Sequence, residues 1–258
     1  MPDPNPAKPI EKAQDKAQQA TRAATASAPR RTYRTVLFQG GLIAAGSAFA
    51  LLTVLAKSTP FFPIDLQITR GIQLMNLPMF AQLMGIISWP GFPPQSFVIP
   101  VFIVALLWGL GLRWESLAAL VAAVSSSAID VLIKDTIRRP RPAASLVHVF
   151  RILDSYSFPS GHVMFYVVFF GFLVFLAFAL LKDSAQRTVV IAFFGVLILL
   201  VGLSRIYLGQ HWASDVAAAY LLGILTLVAN IAFYRWGKKR FFVTQPVQTH
   251  EVPTPAAH

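Results

Sequence analysis

HVMFYVVFFGFLVFLAFALL, residues 162 to 181, carries no charged side chain and only one histidine, at its start. As a helix rising about 1.5 Å per residue it covers the ~30 Å of hydrocarbon in a bilayer. A spanning strand would use only about ten residues of alternating polarity. This run is continuous, so it reads as a membrane-spanning helix.

Outward from it lie five comparable stretches, at 35–56, 95–112, 115–133, 188–206 and 212–234. The fold class that follows is all-α, a six-span transmembrane helical bundle. Composition agrees: 55% of residues are hydrophobic and 13% charged, with a mean hydropathy of +0.60, a balance soluble domains rarely show. Segment 57–94 differs. Pro60, Pro63, Pro78, Pro90, Pro93 and Pro94 interrupt it, and an amphipathic pattern runs from Asp65 to Met84. It predicts one or two short interfacial helices between spans one and two. No internal repeat is evident, which gives little support to a transporter built from two similar halves.

Residues 1–34 are rich in Ala, Gln, Pro, Lys and Arg, with almost no large apolar side chain before Tyr33. They bury too little to offset the entropy of ordering, so a disordered cytoplasmic tail is expected there. A membrane-embedded domain is expected over 35–236, and a second disordered cytoplasmic tail over 237–258. The first apolar run follows a long leader and is long enough to span, which favours an uncleaved anchor over a secretory signal.

The formal charge of +11 lies mainly in the tails and beside the apolar runs. That distribution points to the bilayer and its anionic lipid, not to nucleic acid. There is no cysteine, which excludes disulfides and thiolate metal sites; oligomeric state is not readable. Arg30, Arg31 and Arg34 precede span one, Lys182 and Arg187 join spans four and five, and Arg235, Lys238, Lys239 and Arg240 follow span six. By the excess of Lys and Arg on cytoplasmic loops, both termini are expected in the cytoplasm. Arg113, between spans two and three, agrees.

The opposite face nevertheless receives Lys134, Arg138, Arg139, Arg141, Arg151 and Arg205. Three strings on this face stand out and converge on one mouth: KDTIRRPRP at 134–142, FPSGH at 158–162 and SRIYLGQHWASD at 204–215. Lys134, Arg141 and Arg205 suit a phosphate, Arg through paired bonds, although any one of them is as well explained by lipid headgroups at the interface. Arg138 and Arg139 stay without an assigned role. Ser160, Gly161 and His162 open span four, where free backbone N–H groups favour an anion and Gly permits close approach. An ordinary helix start is the plain alternative for Pro-Ser-Gly alone; His162 adds a titratable group. His211 and Asp215 are four apart on one helix face, so the carboxylate is expected to accept the imidazole N–H and leave the other ring nitrogen free to attack. A carboxylate inside an apolar run is costly and usually functional. Asp130 is read as the ion-pair partner of Lys134, His148 as a loop residue, and His250 and His258 as solvated.

Together the strings resemble the three-part signature of the type 2 phosphatidic acid phosphatase superfamily, K-x6-R-P, P-S-G-H and S-R-x5-H-x3-D. Lys134, Arg141 and Pro142 match the first part, Pro159, Ser160, Gly161 and His162 the second, and Ser204, Arg205, His211 and Asp215 the third. The resemblance implies a lipid phosphatase that needs no metal or cofactor and acts on a phosphatidic acid-like monoester or a polyprenyl pyrophosphate such as the undecaprenyl carrier. In it His211 attacks phosphorus, a phosphohistidine forms, His162 protonates the leaving oxygen and then assists water, and Asp215 orients His211. Lys134, Arg141, Ser160, Gly161 and Arg205 hold the non-bridging oxygens. A multi-pass protein of the plasma (inner) membrane is expected, with the active site on the extracytoplasmic face that the Lys and Arg distribution sets. A lipid phosphotransferase would use the same residues, and a transporter or non-catalytic anion binder would use the basic mouth without turnover. Soluble vanadate-dependent haloperoxidases resemble the same signature, but six spans argue against them.

Overall fold

The computed structural model describes residues 33, 35–75 and 77–242. Of the tails expected at 1–34 and 237–258, residues 1–32, 34 and 243–258 lie outside those residues. The chain divides into two units, Met1–Ala48 and Phe49–His258, a division that falls inside the first helix.

All regular structure among the described residues is helical. In chain order the helices are α1 (Thr35–Ser58), α2 (Pro63–Gln73), α3 (Phe80–Ser88, continued by a 3-10 turn at Trp89–Gly91) and α4 (Gln95–Gly109). There follow α5 (Arg113–Ile137), α6 (Gly161–Leu180), α7 (Ala185–Tyr207) and α8 (Ala213–Phe241). Five of them, α1, α5, α6, α7 and α8, are long and apolar enough to span a bilayer. The second expected span, 95–112, is shorter than the sequence suggested. α4 has 15 residues, about 22 Å at the helical rise, and reaches spanning length only together with α3, from which it is bent by 56°. Pro90, Pro93 and Pro94 account for the bend, since proline removes a donor and restricts the residue before it.

Within Phe49–His258, α6 is the central helix and packs against α5, α7 and α8. Every residue from Val163 to Phe170 is buried, as expected of a helix apolar on all sides. Lipid tails are as apolar as leucine, so contacts between spans depend on close packing; the small Ala118, Ala119 and Ala122 of α5 are buried in the same core. A π-helical turn at Tyr166–Phe170 interrupts α6. Its Tyr166 hydroxyl donates to the Ile87 carbonyl at 2.6 Å, fastening α3 to the central helix. At the other end α8 continues past the boundary expected at 236. Lys238 pairs with the buried Glu115 at 2.6 Å, and Trp114 Nε1 donates to the Tyr234 carbonyl at 3.0 Å, so this last turn is part of the packed bundle.

Candidate active site

The three strings meet at one end of the bundle. Lys134 sits in the last turn of α5 and Arg141 in the loop after it. Ser160 is the N-cap of α6, Arg205 lies in the last turn of α7, and His211 is in the short connection to α8, whose first turn carries Asp215. Lys134, Arg141, Gly161, His162, Arg205 and His211 line a single cavity of about 500 Å³. Ser160 and Asp215 are buried behind it.

The tautomer of His211 follows from its partners. Nδ1 lies 2.8 Å from the Ser157 carbonyl oxygen, which can only accept, so Nδ1 carries the proton. Nε2 therefore presents its lone pair to the cavity, where Arg141 Nη1 lies 3.1 Å away. The direct bond expected from Asp215 is not formed, because its Oδ2 stands 3.8 Å from Nδ1. That oxygen accepts instead from the Ser157 hydroxyl at 2.5 Å and from Trp212 N at 2.9 Å. Asp215 thus caps its own helix and holds Ser157, and Ser157 holds the imidazole.

Behind Asp215 lies a buried charge network that the sequence did not reveal. Arg139 is fully buried and donates from Nη1 to Asp215 Oδ1 at 2.5 Å and from Nη2 to Asp65 Oδ2 at 3.0 Å. It also donates to Ser214 Oγ at 2.8 Å and to the Pro60 carbonyl at 3.1 Å. Asp65 in turn accepts from Phe62 N at 3.0 Å at the start of α2 and from Ser214 N at 2.8 Å at the start of α8. One arginine therefore ties two helix N-termini together. A signal was available: Asp65 is the only acid between Asp15 and Glu115, and a lone carboxylate in an apolar stretch calls for a partner. Arg138, by contrast, ends α5 in a left-handed conformation and bonds locally to the Asp135 carbonyl.

The Asp130–Lys134 ion pair expected from the sequence is present. Lys134 Nζ also donates to the Pro159 carbonyl at 2.6 Å, which joins α5 to the approach of α6. A Cβ at Gly161 would come within 2.7 Å of Asp130 Oδ2, so the cradle needs glycine there. Gly91 plays a matching role on the other wall, where a Cβ would lie 2.3 Å from His162 Cδ2. The Phe92 ring meets His162 edge-on with centroids 4.4 Å apart. Gly91→Ala is therefore expected to push the His162 ring aside and lower kcat/KM by up to about 100-fold, as a 1 Å misplacement can. Enzyme kinetics beside a melting curve check this, since the fold should survive.

Several buried polar atoms here have no partner: Ser160 Oγ, His162 Nε2, and Arg205 Nε and Nη2. Arg205 uses only Nη1, which donates to Ser88 Oγ at 2.5 Å. Buried polar groups in folded proteins are nearly always paired, so the open Arg205 donors and the unpartnered His162 nitrogen on one cavity mark where an anionic ligand belongs. Burial, then the nearby Arg141, Arg205 and Lys134 cations, hold the His211 pKa well below 6.5, against the pull of the Ser157 hydrogen bond. Its ring is neutral at pH 7. Burial brings Arg141 down to about 10, still a cation. No group of three or more His, Cys, Asp or Glu able to hold a metal occurs among the described residues.

Residues 115–241 match the PAP2 superfamily. The chain is 31% identical over 188 residues to phosphatidylglycerophosphatase B of Bacillus subtilis, covering 69% of this chain and 86% of that protein. This chain belongs to the PAP2 superfamily. Another relative is the bacitracin transport permease protein BcrC of Bacillus licheniformis, 34% identical over 116 residues, which cover 43% of this chain and 50% of BcrC. Among solved structures, the transmembrane PAP2-type phosphatidylglycerolphosphate phosphatase from Bacillus subtilis superposes with a TM-score of 0.63 at 27% identity, covering 74% of this chain and 96% of its own. The family and the long apolar helices make this PAP2 member an integral, multi-pass membrane protein. The matched region takes in every signature residue from Lys134 to Asp215; Asp65 and Gly91 lie upstream of it.

Proposed function

We propose that this PAP2 member is a membrane lipid phosphatase that hydrolyses a lipid phosphate monoester or a polyprenyl pyrophosphate through a phosphohistidine on His211, with no metal. The observation that carries this is the set of unpartnered polar atoms, Arg205 Nε and Nη2 and His162 Nε2, on residues lining the cavity that His211 also lines, with Ser160 Oγ unpartnered next to Gly161. Lys134, Arg141 and Arg205 neutralise the phosphoryl group, and Ser160 and the N-terminus of α6 add hydrogen bonds, so the reaction depends chiefly on positioning and electrostatics. When phosphate enters, Arg141 exchanges its contact with Nε2 for a phosphoryl oxygen, which frees the lone pair. Nε2 then bonds to phosphorus, the P–O bond to the leaving group breaks, and the leaving oxygen takes a proton from His162. Water next gives a proton to His162 and attacks phosphorus, the N–P bond breaks, and inorganic phosphate departs.

The test is phosphate release from purified lipid phosphates and pyrophosphates in detergent with a chelator present. Turnover that requires a divalent metal overturns the metal-free scheme, and phosphorylated acceptors with no free phosphate would make the protein a phosphotransferase. Binding without turnover would favour an anion binder. The pH profile offers a separate check. His211 must be neutral to attack and is held below 6.5, so the acid limb of phosphoenzyme formation is expected below that value. Arg141→Gln removes a neighbouring cation, lets the imidazole pKa rise, and should move the limb to higher pH. A limb that stays in place argues against His211 as the titrating group.

For topology we propose cytoplasmic termini, an extracytoplasmic site and residence in the plasma (inner) membrane. The absence of native cysteine makes single-cysteine labelling direct. Cysteine at exposed Ala144 should react with an impermeant maleimide on intact cells, and cysteine at exposed Gln186 only after lysis. The reverse pattern would invert the orientation.

A further inference from the structure

Arg141 and Arg205 line the same cavity but use their donors differently. Arg141 gives Nε to the Ser155 carbonyl at 2.7 Å and Nη2 to the Ser155 hydroxyl oxygen at 2.9 Å. Its Nη1 meets the Gln210 carbonyl at 2.6 Å and His211 Nε2 at 3.1 Å. Every nitrogen of that guanidinium is engaged. Arg205 is fully buried and makes one hydrogen bond, from Nη1 to Ser88 Oγ at 2.5 Å. Its Nε and Nη2 have no partner.

Which two nitrogens are free decides what Arg205 can grip. A guanidinium is planar and its donors form a rigid fork. The N–H of Nε and one N–H of Nη2 run parallel along a single edge, at the spacing of two oxygens on one phosphoryl group. Nη1 lies outside that edge, so a bond made there leaves the fork whole.

Ser88 is itself held in place. It is buried and ends α3. Just before it, the Ile87 carbonyl accepts from the Tyr166 hydroxyl at 2.6 Å. Just after it, Gly91 sits against the His162 ring and the Phe92 ring meets His162 edge-on. Central α6 therefore fastens α3 on either side of Ser88. Phe92 also lies face to the Arg205 guanidinium, 5.0 Å from ring centre to Cζ. Ser88 belongs to none of the three signature strings and lies upstream of the matched region 115–241.

Resting on the phosphatase reading above, we propose that Ser88 is a positioning residue: its hydroxyl anchors Arg205 by Nη1 and so turns the Nε–Nη2 edge to the phosphoryl group that reacts at His211. Phe92 fixes the plane of the guanidinium, and Ser88 fixes its rotation within that plane. Arg205 then takes two non-bridging oxygens at once, whereas Arg141 offers only the Nη1 contact it releases from His211. Without the hydroxyl, the guanidinium turns and the paired grip is lost.

The experiment places Ser88→Ala in wild type and in Arg205→Gln protein, with a lipid monophosphate in detergent as substrate. In wild type kcat/KM should fall about tenfold, within the cost of a 1 Å misplacement. In Arg205→Gln protein the same change should cost less than about twofold, because the group through which Ser88 acts is gone. A residue that merely supported the fold would lower both backgrounds alike, so equal falls, or no fall in wild type, overturn the proposal. Ser88→Thr against Ser88→Val makes the comparison at nearly equal bulk: threonine, which keeps the oxygen, should retain the higher kcat/KM at a similar melting temperature, and equal values would overturn the proposal. Calorimetric binding of inorganic phosphate to the same proteins gives a readout independent of turnover, with Ser88→Ala weakening it severalfold only where Arg205 is present. If wild type hydrolyses no lipid phosphate but phosphate binding shows this coupling, the phosphatase reading fails and the anchoring stands. If it hydrolyses them and Ser88 acts equally in both backgrounds, the reverse holds.

Discussion

His211→Asn is expected to lower turnover by about 1,000-fold or more and to abolish any acid-labile phosphoenzyme. Removing a covalent nucleophile registers on that scale, because the remaining charges bind substrate but cannot divide the reaction into two easier steps. Asparagine can still donate to the Ser157 carbonyl that now takes the Nδ1 proton at 2.8 Å, so the fold should be retained and the melting temperature should change little. The companion variant separates the two histidines. His162→Gln should still phosphorylate His211 when the leaving group is an aryl oxygen that needs no proton, and the phosphoenzyme should accumulate because water lacks its base. Rapid quench with a radiolabelled aryl phosphate measures both. A His211→Asn protein that keeps a tenth of wild-type turnover, or a His162→Gln protein that never accumulates phosphoenzyme, contradicts the assigned roles.

Arg139→Leu should have the largest effect on stability, about 3–5 kcal/mol, the usual cost of breaking a buried ion pair from one side. Two buried carboxylates, Asp65 and Asp215, lose their common cation, and Ser214 and the Pro60 carbonyl lose a donor. Activity should fall with stability, since Asp215 positions Ser157 and Ser157 positions His211. Asp65→Asn alone should cost less, because Arg139 would keep Asp215. Asp65→Asn combined with Arg139→Leu should cost clearly less than the sum of the single changes, since the first removes a charge that the second would strand. Thermal unfolding in detergent followed by tryptophan fluorescence gives the cycle. Simple additivity would show that the network is not energetically coupled.

This network also marks where the sequence stopped being readable. Lys134, Arg141, His162, Arg205 and His211 stood out because charge beside a spanning helix is expensive and because their spacing repeats a known signature. Arg139 did not, since a run of three arginines within four positions gives no sign of which one turns inward. Ser157 was silent for another reason: it acts on His211 through its backbone carbonyl, which every residue type possesses. Gly91 and Phe92 lay in a proline-broken stretch whose only legible property was amphipathicity. Four-residue spacing on a helix pairs His211 with Asp215, but His211 sits just before α8 begins, where that rule does not apply.

The all-helical membrane fold, five of the six expected spans and the signature residues were legible in the sequence, because these follow from hydrocarbon thickness, from the cost of unpaired backbone in lipid, and from charge placed against that cost. What holds those residues in place comes from contacts between distant segments. Asp65 and Asp215 are 150 positions apart and share Arg139, and Gly91 fixes a histidine on another helix. Such contacts depend on how bent α3–α4, central α6 and the starts of α2 and α8 come together, and no local pattern encodes a meeting between distant segments.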